Sequence, residues 1–243
     1  VSDPRTEELA QRLATVRAEL DAAVARTGRV PGDVELLVVT KFFPAADVAR
    51  LIELGEREFG ESREPEASRK IAELGELVDS RGAVFDMIGS VQTKKAKTVA
   101  RWARSVQSVD RHKLVDQLAT AAQAALHEQL RTEPLGVFCQ VSLDGDPTRG
   151  GVIEAELPEL AQRVVAAPSL RLAGLMVIAP TNGEVREWMA RTARIRERFL
   201  REYPDATALS AGMSADMAIA VEYGSTCVRV GTAIMGSRPL LSQ

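Results

Sequence analysis

Cysteine and histidine are scarce. The 243 residues contain two of each. Cys139 and Cys227 sit in separate apolar, strand-like runs without a CxxC spacing, which argues against a disulfide framework, a redox pair or a thiolate metal site. Both read as small buried hydrophobes. His112 and His127 fall on one amphipathic helical stretch with no carboxylate or thiol at ligand spacing, so no metal is expected. Aromatic residues make up 4% of the chain. The most basic stretch, with Lys94, Lys95, Lys97, Arg101 and Arg104, is interleaved with Trp102 alone, which fits a solvated helix face better than a nucleic-acid surface. A net charge of -3 gives no global attraction to phosphate backbones. No run approaches the roughly eighteen consecutive apolar residues of a membrane span. The first residues, VSDPRTEELAQRL, carry no apolar core of a secretion signal. A cytoplasmic location without membrane or nucleic-acid partners is expected.

What the chain has is an ordinary globular balance, 45% apolar and 27% charged, in a length close to that of a one-domain α/β barrel. After a first helix with Leu9, Leu13, Val16, Leu20 and Val24 at helical spacing, short apolar runs alternate with longer amphipathic ones. The strand candidates are Glu35 to Thr40, Arg57 to Gly60, Val84 to Ile88, Ser105 to Val109, Leu135 to Leu143, Leu170 to Ile178, Thr207 to Ser210 and Cys227 to Val230. The helical stretches between them are Ala45 to Leu54, Pro65 to Leu77, Thr93 to Trp102, Arg111 to Glu128, Ala155 to Ala166, Glu184 to Tyr203 and Ala215 to Tyr223. Such alternation predicts a (β/α)8 TIM barrel with an extra N-terminal helix, one domain over residues 1–243. An open doubly wound sheet is the alternative that counting leaves.

In a parallel barrel, chemistry gathers where the strands end. Lys41 directly follows the run LLVVT, and a partly desolvated amine there can add to a carbonyl carbon; a strand-ending lysine reaching water is the plainer reading. In LSAGMSADM, Ser210, Ala211 and Gly212 precede Ser214, a candidate helix N-cap, and form a small turn that an anion can approach. Gly231 and Thr232 make a second such turn after the last strand. Barrel phosphate sites are often built after strands seven and eight, the places these two turns occupy. Arg229 is a lone cation between Val228 and Val230; alternation turns it opposite to them, into the barrel, where it needs a carboxylate or a ligand as partner.

These blocks, VVTK (Val38 to Lys41), FGES (Phe59 to Ser62), MIGSVQTKK (Met87 to Lys95), GLMVIAP (Gly174 to Pro180), LSAGMSADM (Leu209 to Met217) and VRVGTAIMGSR (Val228 to Arg238), resemble the pyridoxal phosphate homeostasis protein family (YggS/PROSC type) over nearly the whole chain. That family is similar in fold to the alanine racemase N-terminal domain, PLP fold type III. The resemblance implies that pyridoxal 5'-phosphate (PLP) is held as an internal aldimine on Lys41, with Arg229 at the pyridine nitrogen and Ser210, Gly212, Ser214, Gly231 and Thr232 around the phosphate. Met176 would help line the pocket and Ser62 would lie near the ring. The chain departs from the family pattern at Ser62 and Arg63, usually asparagine and tyrosine, at Asp86 and Lys94, usually histidine and asparagine, and at Arg149 and Gly150, usually lysine and serine.

The function so implied is PLP (vitamin B6) homeostasis without robust catalysis. PLP is the ligand, with PLP-dependent apo-enzymes and amino acids as further partners. An arginine at the ring nitrogen weakens the cofactor as an electron sink. The alternative is a minimal PLP-dependent amino acid racemase, which needs a second proton donor; Tyr203 and Tyr223 read as helix ends instead. A Schiff-base aldolase would want an acid–base pair beside Lys41, and Asp86, the candidate, fits a salt bridge as well. Without a racemase-type second domain, a monomer is expected.

Overall fold

Each apolar run read as a strand overlaps one in the computed structural model, which describes residues 3–146 and 148–237. In chain order the strands are β1 (Glu35–Val39), β2 (Glu58–Glu61), β3 (Val84–Met87), β4 (Ala103–Val109), β5 (Leu135–Val141), β6 (Leu170–Val177), β7 (Ala208–Ser210) and β8 (Cys227–Val230). Each pairs in parallel with the next. β8 closes onto β1 with Leu36 opposite Val228 and Leu37 opposite Arg229. The sheet is therefore a closed TIM barrel, and the open sheet is excluded. Arg238, the end of the last sequence block, lies outside the described residues.

The helices are α1 (Pro4–Arg26), α2 (Ala45–Glu53), α3 (Glu66–Leu74), α4 (Glu76–Arg81), α5 (Ala96–Trp102), α6 (His112–His127), α7 (Leu157–Val165), α8 (Val185–Glu202), α9 (Met217–Glu222) and α10 (Thr232–Met235). Asp3 caps α1 by accepting the Arg5 N–H at 3.2 Å, and Pro4 opens it with its φ already helical. Leu9, Leu13, Val16, Leu20 and Val24 are all buried, in one apolar cluster with Met217 and Val221 of α9 and Ile234 and Met235 of α10. Each such side chain contributes about 1.5–3 kcal/mol by leaving water. The extra helix thus seals the barrel where α9 and α10 are short.

Several boundaries differ from the sequence reading. The stretch Pro65 to Leu77 is two helices because Gly75, at φ 54° and ψ −134°, breaks the α3 backbone path. Thr93–Lys95 and Glu154–Glu156 are single 3-10 turns leading into α5 and α7. Ser214 is not a helix N-cap: α9 starts at Met217 with Asp216 in the cap position, and the Asp216 carboxylate accepts the Met213 N–H at 2.5 Å. Residues after Gly231, read as a turn, form the short α10.

Strand parity divides β8. Val228 and Val230 face the helices in the apolar cluster, whereas Arg229 between them turns inward. The barrel interior is accordingly polar along one line. Arg104 donates to Asp86 at 2.6 Å and to Glu35 at 2.8 Å; the Gln107 amide donates to Asp86 at 2.8 Å. The Ser210 hydroxyl donates to Gln107 Oε1 at 2.6 Å and accepts from Arg229 at 2.5 Å. A chain of hydrogen bonds so joins five strands from the amino end of the barrel to Arg229. Beside it, Met176 packs with Phe138 and Ala173 in a small apolar cluster.

Candidate functional site

A cavity of about 680 Å³ opens at the carboxyl ends of the strands, and every strand or the loop after it contributes to its wall. That is the size range of small-molecule sites. Lys41 and Phe42 come from beyond β1, Ser62 from beyond β2, Gly89 and Ser90 from beyond β3 and Asp110 from beyond β4. Gln140 of β5, Arg149 and Gly150 after it, Ile178 after β6, Met213 and Ser214 after β7, and Arg229, Gly231 and Thr232 of β8 and its loop complete the wall.

Lys41 is half-buried, with Nζ 6.0 Å from the centroid of the Phe42 ring. Arg63 sets its guanidinium carbon 4.8 Å from the same centroid. Ser62 is half-buried and lies against Gly89; a Cβ on Gly89 would run into the Ser62 backbone, so glycine is required there by close approach. Arg229 is 5% exposed. It donates to Ser210 Oγ and, at 2.8 Å, to the Val177 carbonyl, so its bonded partners are a hydroxyl and a backbone oxygen rather than a carboxylate. Burial pushes its pKa below the ordinary guanidinium value, with the Cys227 thiol and Asp216 acting in the opposite direction. An anion or a lone-pair nitrogen delivered into the cavity would meet a cation to which, among the described residues, no carboxylate is bonded.

The sequence-predicted residues separate into two groups. Lys41, Ser62, Ser214, Arg229, Gly231 and Thr232 share the cavity wall. Met176, Ser210 and Gly212 do not. Met176 is 1% and Ser210 0% exposed, beneath the cavity floor. Gly212, at φ +95°, accepts the Arg229 backbone N–H through its carbonyl, and a Cβ there would press on Ala220 of α9. Ser210, the last residue of β7, faces inward, where its hydroxyl accepts from the Arg229 guanidinium.

Asp110 and Gln140 were not singled out from sequence. Asp110 follows β4 as directly as Lys41 follows Thr40, so the rule that selected the lysine also selects it. Its carboxylate accepts from Arg111 at 2.5 Å and from the Gly151 N–H at 3.3 Å. Arg149 is held by Asp144 at 2.8 Å and by the Ala179 carbonyl at 3.0 Å. Asp86 is the salt-bridge partner of Arg104 and lies outside the cavity wall. The thiols are buried and unpaired, Cys139 pushed by burial to about 12.

A parallel barrel with a lysine and a buried arginine converging on one rim cavity defines the class, and the family model described as alanine racemase, N-terminal domain, matches residues 12–239. Within that class the chain belongs to the pyridoxal phosphate homeostasis protein family: it is 47% identical to the pyridoxal phosphate homeostasis protein of Mycobacterium tuberculosis, over 98% of this chain and 96% of that one. Among solved structures, an unknown protein from Bifidobacterium adolescentis superposes with a TM-score of 0.87 at 28% identity, covering 97% of both chains. PipY of Synechococcus elongatus, solved with PLP bound, superposes with a TM-score of 0.76 at 32% identity, covering 94% of this chain and 100% of PipY.

Proposed function

We propose that this protein binds PLP in the rim cavity and serves intracellular PLP homeostasis by holding and releasing the cofactor. The observation that carries the reading is the convergence of Lys41 and Arg229 on one cavity beside the donor-rich turns after β7 and β8. The relative PipY, solved with PLP bound, supports it.

The residues present fit the group. Ser214, Gly231 and Thr232 offer hydroxyl and backbone donors to a phosphate. Arg229 would face the ring nitrogen, where a cation would keep that nitrogen unprotonated. Ser62 would be the hydrogen-bonding group beside the ring. When bound, PLP supplies an aldehyde carbon that is electrophilic toward amines. Lys41 is the amine that would hold it, half-buried at the rim.

We infer a carrier rather than a robust enzyme. Neither tyrosine lines the cavity: Tyr203 ends α8 with its hydroxyl 3.4 Å from the Pro158 carbonyl, and Tyr223 ends α9. Asp110 is the one carboxylate among the described lining residues, already occupied by Arg111 and Gly151. The cavity is assembled from one chain's own eight strands. With this chain's own residues lining the cavity, we infer a monomer. Two unpaired buried thiols fit a reducing cytoplasm.

The test is to incubate wild type and Lys41→Ala with PLP, remove free cofactor by gel filtration, and record visible spectra and amino acid racemisation. Wild type retains a violet-absorbing band, Lys41→Ala loses it, and racemisation stays at the level of free PLP. A band retained equally by both proteins refutes the role of Lys41; turnover well above free PLP that disappears in Lys41→Ala supports the racemase instead.

A further inference from the structure

We propose that Glu66 and Lys70 of α3 are positioning residues for the Lys41 amine, clamping the peptide groups on either side of it. The inference rests on the reading of Lys41 as the attachment point for PLP.

The turn that presents Lys41 is not held by strand pairing alone. On its amino side, the Thr40 carbonyl accepts from Lys70 Nζ at 2.9 Å, and the Thr40 hydroxyl donates to Glu61 Oε1 at 2.7 Å. Lys70 Nζ also reaches Glu61 Oε1 at 2.6 Å, and the two side chains are 5% and 0% exposed. On the carboxyl side, the Phe42 N–H donates to Glu66 Oε1 at 2.7 Å. Phe42 stands at φ 71°, in the left-handed region that residues with a Cβ avoid. Glu66 and Lys70 are one helical turn apart and 3.7 Å from each other, so both grips come from one face of α3.

The chemistry of these groups suits an orienting role. A buried lysine–glutamate pair gives little net stability, because desolvating both ions offsets their attraction. Here it instead fixes a carbonyl and a hydroxyl of the residue before Lys41, while the second carboxylate holds an otherwise strained residue after it. Strained backbone held by surrounding groups is a known means of orienting a functional side chain. None of Glu61, Glu66 and Lys70 lines the cavity, so they act through Lys41 and not on the ligand.

The experiment separates capture from binding. Wild type, Glu66→Ala, Glu66→Gln and the double variant Lys70→Met/Glu61→Gln are mixed with PLP, quenched with borohydride at timed intervals, and mapped for label on Lys41. Affinity for pyridoxine 5'-phosphate, which has an alcohol in place of the aldehyde, is measured in parallel. Capture by Glu66→Ala is expected to slow at least about tenfold with pyridoxine phosphate affinity within about twofold of wild type, since misplacing a reacting group costs rate more than binding. Glu66→Gln keeps an oxygen that accepts the Phe42 N–H and recovers most of the rate. The double variant slows capture likewise; should it not fold, the two Glu66 variants decide. Hydrogen exchange of the Phe42 amide, read without ligand, accelerates in Glu66→Ala and not in Glu66→Gln. Wild-type capture rates in Glu66→Ala despite lost amide protection overturn the clamp alone. Equal losses of capture and pyridoxine phosphate affinity overturn it as well. A wild type that captures no PLP and binds no pyridoxine phosphate overturns the functional reading together with the clamp.

Discussion

Arg229 is the residue on which the interior of the barrel converges. Its guanidinium leans on Ser210, Ser210 on Gln107, and Gln107 on Asp86, which Arg104 neutralises. Asp86 is buried, and its pairing with Arg104 at 2.6 Å compensates that charge. Ser210→Ala removes one buried acceptor from Arg229 and one donor from Gln107. It should destabilise the protein by about 1–3 kcal/mol, read from the urea midpoint. An unchanged midpoint would mean that another acceptor replaces the hydroxyl. Glu61 gives a pH signature of its own. Burial lifts its carboxyl above the ordinary 4.5, with Lys70 only partly offsetting the rise. A folded-state pKa above the unfolded one means that the native state holds the proton more tightly. This contribution is therefore complete below the unfolded value and is lost as pH rises through the raised one. Glu61→Gln should flatten that decline in urea midpoints measured from acid toward neutrality; parallel profiles would contradict it. Lys41 and Arg229 were legible in sequence because strand ends and parity mark them. The role of Ser210 was not: the strand was read to end at Ser210, as β7 does, but its hydroxyl meets Gln107 and Arg229, partners 103 and 19 residues away in the chain.

Among the elements, strand order was read correctly because apolar runs and amphipathic stretches alternate without interruption. Errors gathered at helix starts and interruptions, where a single backbone angle decides. Gly75 looks like any helix-ending glycine, yet α4 resumes at once, and nothing in the amphipathic pattern reports the break. Ser214 has the composition of an N-cap, but α9 begins only at Met217, and Asp216 in the cap position turns its carboxylate back to the Met213 N–H. The loops after β2 and β3 show how the elements shape the site. Gly89 permits the Ser62 backbone to approach, and Gly89→Ala must push the two loops apart. Overpacking of this kind costs about 1–3 kcal/mol. Gly89→Ala should therefore both lower the thermal midpoint and weaken PLP retention, because Ser62 and Gly89 line the same cavity. Loss of stability with unaltered retention would indicate that Ser62 does not contact the ligand.

At the scale of the whole molecule, barrel closure brings Lys41 of the first unit beside Arg229, Gly231 and Thr232 of the last. The site therefore exists only when β8 has joined β1, and its ligand should stabilise the complete fold. At a PLP concentration one hundred times the dissociation constant the gain is about 2.7 kcal/mol. Wild type should show that gain in denaturant titrations and Lys41→Ala most of its loss; equal gains in both would place the ligand's main contacts elsewhere. The closed barrel was foreseeable from the number and order of units, whereas the polar line through its interior was not, because its members are far apart in sequence and share no motif. The most direct test of the central claim is borohydride reduction of the PLP-loaded protein followed by peptide mapping. The account predicts the reduced pyridoxyl group on Lys41; label spread over Lys94, Lys95 and Lys97 with none on Lys41 would contradict it.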